Sequence, residues 1–146
     1  MNKTIRLLVP ACKAKPSPAI GQALASVGVN MMKFCKDFND RTKQYKDEIP
    51  VRVSLRARTD GTFEYSTAIP STSWFLKRAA GVDKGAADPG SNIVGKVHVK
   101  YIYEIAKLKQ QDSKGQLRVV PLEKICRSIY SQMKTMGLAI DKTPGL

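Results

Sequence analysis

Gly90-Ser91-Asn92-Ile93-Val94-Gly95-Lys96 spells G-x-x-x-x-G-K, the opening of a loop that cradles nucleotide phosphates. That chemistry needs more than the spacing. The next residue must be Ser or Thr to hold Mg²⁺, and here it is Val97. A buried strand must enter the loop and a helix must leave it, but a helical segment, Gly81 and a polar stretch come first. No apolar strand ending in Asp follows to hold the metal. The residues around the pattern therefore argue against a nucleotide-hydrolysing enzyme. Nothing else has catalytic spacing: His98 is the single histidine, and no close carboxylate pair lies in apolar surroundings. His98 reads as structural. Cys12, Cys35 and Cys126 are odd in number, far apart and without C-x-x-C spacing. Neither a disulfide framework nor a metal site is expected, and the compartment reads as reducing. Cys35 and Cys126 fall on apolar stripes and read as small core residues. The expectation is a non-enzyme without a cofactor.

A different chemistry is written between Leu122 and Met136. Leu122, Ile125, Cys126, Ile129, Met133 and Met136 recur at helical spacing and predict one amphipathic helix. Lys124, Arg127, Ser128, Ser131, Lys134 and Thr135 occupy its other azimuths. Short hydroxyls can approach 2′-hydroxyls in the wide, shallow minor groove of an RNA helix, and cations can meet its phosphates. By itself such a face also suits an ordinary solvated helix. The charge of the whole chain favours the polyanion. Its 25 Lys and Arg against 12 Asp and Glu leave a net charge of +13. So large an excess repels itself in a compact chain and calls for an anionic partner. The excess is even: residues 1–70 carry 12 basic and 6 acidic residues, and residues 71–146 carry 13 and 6.

A membrane surface is the competing anionic partner. No stretch approaches the roughly 20 apolar residues that cross a bilayer. The amphipathic 122–136 segment fits a membrane surface only loosely, because its apolar stripe is needed to close a core. The first residues show neither a signal-peptide apolar region nor a long Arg/Ser-rich presequence.

The elements that must position these residues are legible. Ile5, Leu7 and Val9 alternate as a first strand that Pro10 ends. Pro16-Ser17-Pro18 stiffens the chain ahead of a short helix over about 20–26, with Gly28 as its stop. Asn30 is expected to cap a helix carrying Met31, Phe34, Cys35 and Phe38, followed by a polar connection from Asn39 to Pro50. Residues 51–58 alternate strictly, and Asp60-Gly61 predicts a type I′ hairpin turn into Phe63 and Tyr65. One face of that sheet is apolar; the other shows Arg52, Arg56 and Arg58. Ser71-Thr72-Ser73 caps a helix that runs to Gly81. A glycine-bearing basic loop covers 82–95, where glycines let backbone amides reach phosphate beside Lys84 and Lys96. A short strand at Val97, a helix over 99–109, a polar connection over 110–119 and the 122–136 helix follow. Gly137 ends the last helix, and Leu138-Ala139-Ile140 is placed to pair with Val97. The predicted fold class is α+β with two small domains. Residues 1–69 form a three-stranded sheet with two helices. Residues 70–146 form three helices with a short two-stranded sheet.

Many short segments in order carry a family resemblance. They include Pro16-Ser17-Pro18, Gly28-Val29-Asn30, Phe34-Cys35-Lys36, Phe38-Asn39 with Arg41-Thr42, and Phe75-Leu76-Lys77. They continue with Ala79-Ala80-Gly81, Lys84-Gly85, Val94-Gly95-Lys96, Glu104-Ile105-Ala106 and Met136-Gly137. From about residue 5 to residue 140 the chain resembles ribosomal large-subunit protein eleven, the stalk-base protein of the GTPase-associated centre. Residues 103–112, with Val120-Pro121-Leu122 and Arg127-Ser128-Ile129, are similar to its mitochondrial branch more than to its bacterial one.

The resemblance implies a monomer within the large ribosomal subunit, in the mitochondrial matrix, with the bacterial cytoplasm as the alternative. It implies large-subunit rRNA, stalk proteins and, transiently, translational GTPases as partners, with no membrane and no cofactor. By position, the RNA-binding residues are Lys77, Arg78, Lys84, Gly85, Pro89, Lys96, Ser128, Ser131, Lys134, Thr135 and Gly137. Pro16, Ser17 and Pro18 would line a factor and antibiotic cleft. The chain also departs from the family. Cys12 stands for a usual glycine and Lys15 for a usual asparagine, while Ala19 and Gln22 replace common prolines. Pro89-Gly90-Ser91 replaces the bacterial Pro-Asn-Lys, and Thr135 replaces a common serine but keeps the hydroxyl.

Overall fold

The computed structural model describes residues 3–112 and 120–144. The chain divides into two compact units, Met1–Pro70 and Ser71–Leu146. The first holds strands β1 (Lys3–Pro10), β2 (Pro50–Ala57) and β3 (Phe63–Ala68), with helices α1 (Pro18–Ala25) and α2 (Met31–Arg41). The strands form one antiparallel sheet in the order β1-β2-β3. Alternation sends Val51, Val53, Leu55 and Ala57 inward, where Leu24, Phe34, Cys35 and Phe38 cover them. Ser17 caps α1 by accepting the Ile20 N–H, and Pro18 opens the helix. Gly28, at φ 73, lets the Val29 N–H reach the Leu24 carbonyl at 3.1 Å and stop the helix. Asn30 caps α2 by accepting from Met32 and Lys33.

Helix α2 runs to Arg41, three residues into the expected connection, and two further local expectations change. The hairpin is not a type I′ turn, which requires two left-handed residues. Among the described non-glycine residues only Cys12 and Glu48 have positive φ, so Asp60 does not. Instead the Gly61 N–H closes a turn onto the Arg58 carbonyl at 3.2 Å, and Gly61 alone is left-handed, at φ 79. This is a three-residue loop with glycine at its bulge position. It is held because the Asp60 carboxylate accepts from the Thr62 N–H and hydroxyl at 3.0 and 2.6 Å. The second change lies after α2. Thr42, expected in a polar connection, is buried. Its hydroxyl donates to the Phe38 carbonyl and accepts from the Cys12 N–H. Cys12 itself sits at φ 58, a conformation glycine adopts without strain.

Tyr65 ties α2 to the sheet. Its hydroxyl donates to Asp37 at 2.6 Å, and the Arg41 guanidinium lies 4.6 Å over its ring. Burial first, and then the hydrogen bond to Asp37, push the phenol above its ordinary value of 10.0. A raised folded value means the neutral phenol stabilises the fold fully below that ordinary value. The contribution is lost as pH rises past it. Tyr65→Phe should therefore flatten the alkaline decline in stability of this unit. Chemical denaturation of both proteins between pH 9 and 11 checks it, and parallel declines would refute the assignment.

The second unit contains α3 (Thr72–Ala80), β4 (Gly95–His98), α4 (Val99–Asp112), α5 (Leu122–Thr135) and β5 (Leu138–Asp141). The strands β4 and β5 pair in parallel, with Val97 opposite Ile140. Leu76, Val97, Ile102, Ile105, Ala106, Ile129, Met133 and Leu138 form the core between strands and helices. Helix α4 outruns its expected end at Lys109 and continues to Asp112; the rest of the expected 110–119 connection, residues 113–119, lies outside the described residues. His98 is structural, as its solitude suggested. It is buried, faces the Thr143 carbonyl at 2.9 Å through Nε2 and accepts the Lys100 N–H at 3.1 Å through Nδ1. Accepting at Nδ1 requires the tautomer protonated at Nε2, which donates to Thr143.

Candidate nucleic-acid interface

The amphipathic period of α5 turns Ile129 and Met133 into the core and leaves Lys124, Arg127, Ser128, Ser131, Lys134 and Thr135 exposed. The Ser131 hydroxyl donates to the Arg127 carbonyl at 3.1 Å, and the Thr135 hydroxyl donates to the Gln132 carbonyl at 2.7 Å. Their protons are used within the helix, so the oxygens face outward as acceptors. Lys134 lies in the last turn, where the helix dipole favours a cation, and its ammonium sits 4.6 Å over the Tyr130 ring. Arg127 is engaged with Glu123 at 2.6 Å one turn back.

The loop 82–95 is pinned against the end of this helix. Gly81, left-handed at φ 68, ends α3 and turns the chain into it. The Ala86 N–H donates to the Met136 carbonyl at 3.0 Å, and the Val94 N–H donates to the Gly137 carbonyl at 2.9 Å. Between them the Ser91 and Asn92 N–H groups close onto the Asp88 carbonyl. Gly137 is buried at φ 71, and a Cβ there would lie 2.4 Å from the Ala86 Cβ and 2.8 Å from the Asn92 carbonyl oxygen. A Cβ on Gly85 would meet the Met136 carbonyl oxygen at 3.3 Å. Gly137 thus lies beneath the surface, and Gly85 is half-buried against the Met136 backbone. They support the loop and present no side chain of their own.

Lys84 and Pro89 are exposed on this loop and Lys96 on β4. Lys96 is near Asp141, whose carboxyl is held below the usual range by hydrogen bonds from Thr143 and then by the nearby His98 and Lys96. On α3, Lys77 is half-buried and Arg78 exposed. Together with Trp74, Gly81, Val82 and Asp83 they line a cleft, and the Arg78 guanidinium lies 5.6 Å from the Trp74 ring. In the other unit Ser17 is spent on capping α1, while Pro16 and Pro18 are exposed.

Tyr130, Trp74 and Asp88 were not singled out from the sequence. Asp88-Pro89-Gly90 did carry a signal, because Asp followed by Pro opens type I turns. The aromatic partners of Lys134 and Arg78 had none, since an exposed ring four residues from a cation is common on helices.

The nucleotide-loop pattern has no phosphate cradle. Gly95-Lys96 opens a strand, paired with Leu138-Ala139, where a nucleotide site needs a helix N-terminus. Among the described residues no cluster of His, Cys, Asp and Glu could hold a metal, and no helix is long and apolar enough to cross a membrane.

Two α/β units, with cations and outward hydroxyls gathered on one helix and a loop fastened to its end, define a protein of the nucleic-acid-binding class. Residues 5–63 match the N-terminal domain of ribosomal protein L11, and residues 68–140 match the RNA binding domain of ribosomal protein L11. The chain belongs to the ribosomal protein L11 family. It is 38% identical over 136 residues to the large ribosomal subunit protein uL11m of Caenorhabditis elegans, covering 93% of this chain and 68% of that one. The protein of the same name from Schizosaccharomyces pombe is 38% identical over 136 residues, with 93% of each chain covered. That of Reclinomonas americana is 38% identical over 143 residues, covering 94% of this chain and 95% of that one.

Proposed function

We propose that this chain is a structural protein of the mitochondrial large ribosomal subunit. Residues 70–146 clamp the rRNA segment at the stalk base, and residues 1–69 face the stalk proteins and, transiently, the translational GTPases. The role is binding, without catalysis. The observation that carries this reading is the pairing of the α5 face with the pinned loop 82–95. A helix alone offers a cylinder, but helix and loop together offer two rigid edges for one folded RNA. Phosphates would meet Lys77, Arg78, Lys84, Lys96 and Lys134; 2′-hydroxyls would meet Ser128, Ser131 and Thr135, with Pro89 beside them on the loop. Gly85 and Gly137 act by holding the loop. The names of the relatives support the mitochondrial subunit. Binding stabilises the folded RNA by mass action.

Three measurements test it. The full chain should raise the melting temperature of the transcribed stalk-base rRNA segment; no shift would overturn the clamp. Lys134→Ala should weaken binding and reduce the slope of log K against log salt by about one unit or less, the share of one phosphate contact. An unchanged slope would remove Lys134 from the contact. Sedimentation of the tagged chain with the large subunit of purified mitochondria checks the location.

A further inference from the structure

The N-terminal sheet has a second face that the clamp does not use. Helices α1 and α2 cover one side of the sheet. The register builds the other side as three rows: Leu8-Arg52-Ala68, Arg6-Ser54-Ser66 and Thr4-Arg56-Glu64. Each row carries one arginine, and Arg6, Arg52 and Arg56 are all exposed. Rows are about 7 Å apart and strands about 4.8 Å apart, so the three Cα atoms fall within a strip roughly 14 Å long. Glu64 is engaged by Arg58. Arg52 gives its Nε–H to the Ile69 carbonyl at 2.9 Å, which fixes the guanidinium and leaves its terminal nitrogens for another acceptor. Among the described residues, Arg6, Arg52 and Arg56 form no ion pair with a carboxylate. Like charges packed on one sheet face repel, so the arrangement is stable in proportion to the anion that covers it.

We propose that this face binds the sugar–phosphate backbone of an extended RNA strand laid across the sheet, without reading its bases. Guanidinium forks match phosphate oxygens, and the hydroxyls of Thr4, Ser54 and Ser66 stand between them as further donors. The face carries no aromatic ring, so bases have nothing to stack on. A protein partner would need a central apolar anchor set, and the face offers Leu8, 65% exposed, at its edge as its one large apolar side chain. The face belongs to the Met1–Pro70 unit and the α5 clamp to the Ser71–Leu146 unit.

The test uses the full chain with Lys77, Arg78, Lys84, Lys96 and Lys134 changed to alanine, which removes every phosphate contact assigned to the other face. The probe is a fluorescein-labelled oligouridylate, titrated over a range of KCl. Arg6→Gln/Arg52→Gln/Arg56→Gln should flatten the salt slope by about 2, from three contacts at about 0.7 each on a single strand. Arg6→Gln/Arg56→Gln leaves the Arg52 hydrogen bond intact and should flatten it by about 1.4 on the same basis. Unlabelled oligouridylate should displace the probe better than polyglutamate of equal charge concentration. An unchanged slope in both variants would overturn the proposal. So would equal or better displacement by polyglutamate, which would assign the face to an acidic protein.

Discussion

Gly137→Ala is expected to lower the thermal transition of the Ser71–Leu146 unit by roughly 10 °C. Gly137 holds φ 71, and a left-handed backbone costs a residue with a Cβ about 1–2 kcal/mol. The new methyl would also sit 2.4 Å from the Ala86 Cβ and 2.8 Å from the Asn92 carbonyl oxygen, so loop and helix end must part. A total near 2 kcal/mol or more follows, and each kcal/mol moves the transition of so small a unit by about 4–8 °C. Parting the two removes the Ala86–Met136 and Val94–Gly137 hydrogen bonds. Amide exchange at Ala86 and Val94 should accelerate more than at Ile129 or Met133 in the core of α5. RNA affinity should fall although every cation and hydroxyl on α5 is intact. Calorimetry and hydrogen exchange check the two halves. Unchanged protection at Ala86 and Val94 would show that the loop is held by something other than its closure on Gly137.

Phe34→Ala should have the largest effect in the other unit. Phe34 is fully buried and touches three other rings: Phe38 at 5.8 Å, Phe63 at 6.2 Å and Tyr65 at 5.3 Å between centroids. Removing a buried phenylalanine costs about 3–5 kcal/mol through lost transfer energy and the cavity left behind. That approaches the whole stability of a small domain, about 5–15 kcal/mol. The expected result is loss of the tertiary NMR signals of β1–β3 near 37 °C. A variant that melts within a few degrees of the parent would mean the cluster repacks freely.

Most of the secondary structure was legible because its causes are local. Strict alternation over 51–58 made a strand, and the 3.6-residue period of 122–136 made a helix with two chemically different faces. Asn30, Ser71, Gly28 and Gly81 were recognisable caps because capping joins residues two to five apart in sequence. The polar faces followed from the apolar ones, which is why Lys134 and the α5 hydroxyls could be named at once. The hairpin failed for an equally local reason: Asp60-Gly61 suits more than one turn, and the Asp60 carboxylate bonded to Thr62 selects the one formed.

The amino-acid order by itself determined the charge balance, the two sets of elements, their buried stripes and the misfit of the nucleotide-loop pattern. Tertiary structure alone decided that 82–95 folds onto a glycine about fifty residues away. It likewise decided that arginines on β1 and β2 share one strip, and that His98 joins α4 to the Thr143 carbonyl. Periodicity reports which way a side chain points relative to its neighbours in sequence. It carries no information on which distant backbone will close against it, because that depends on the shape of the whole packed core.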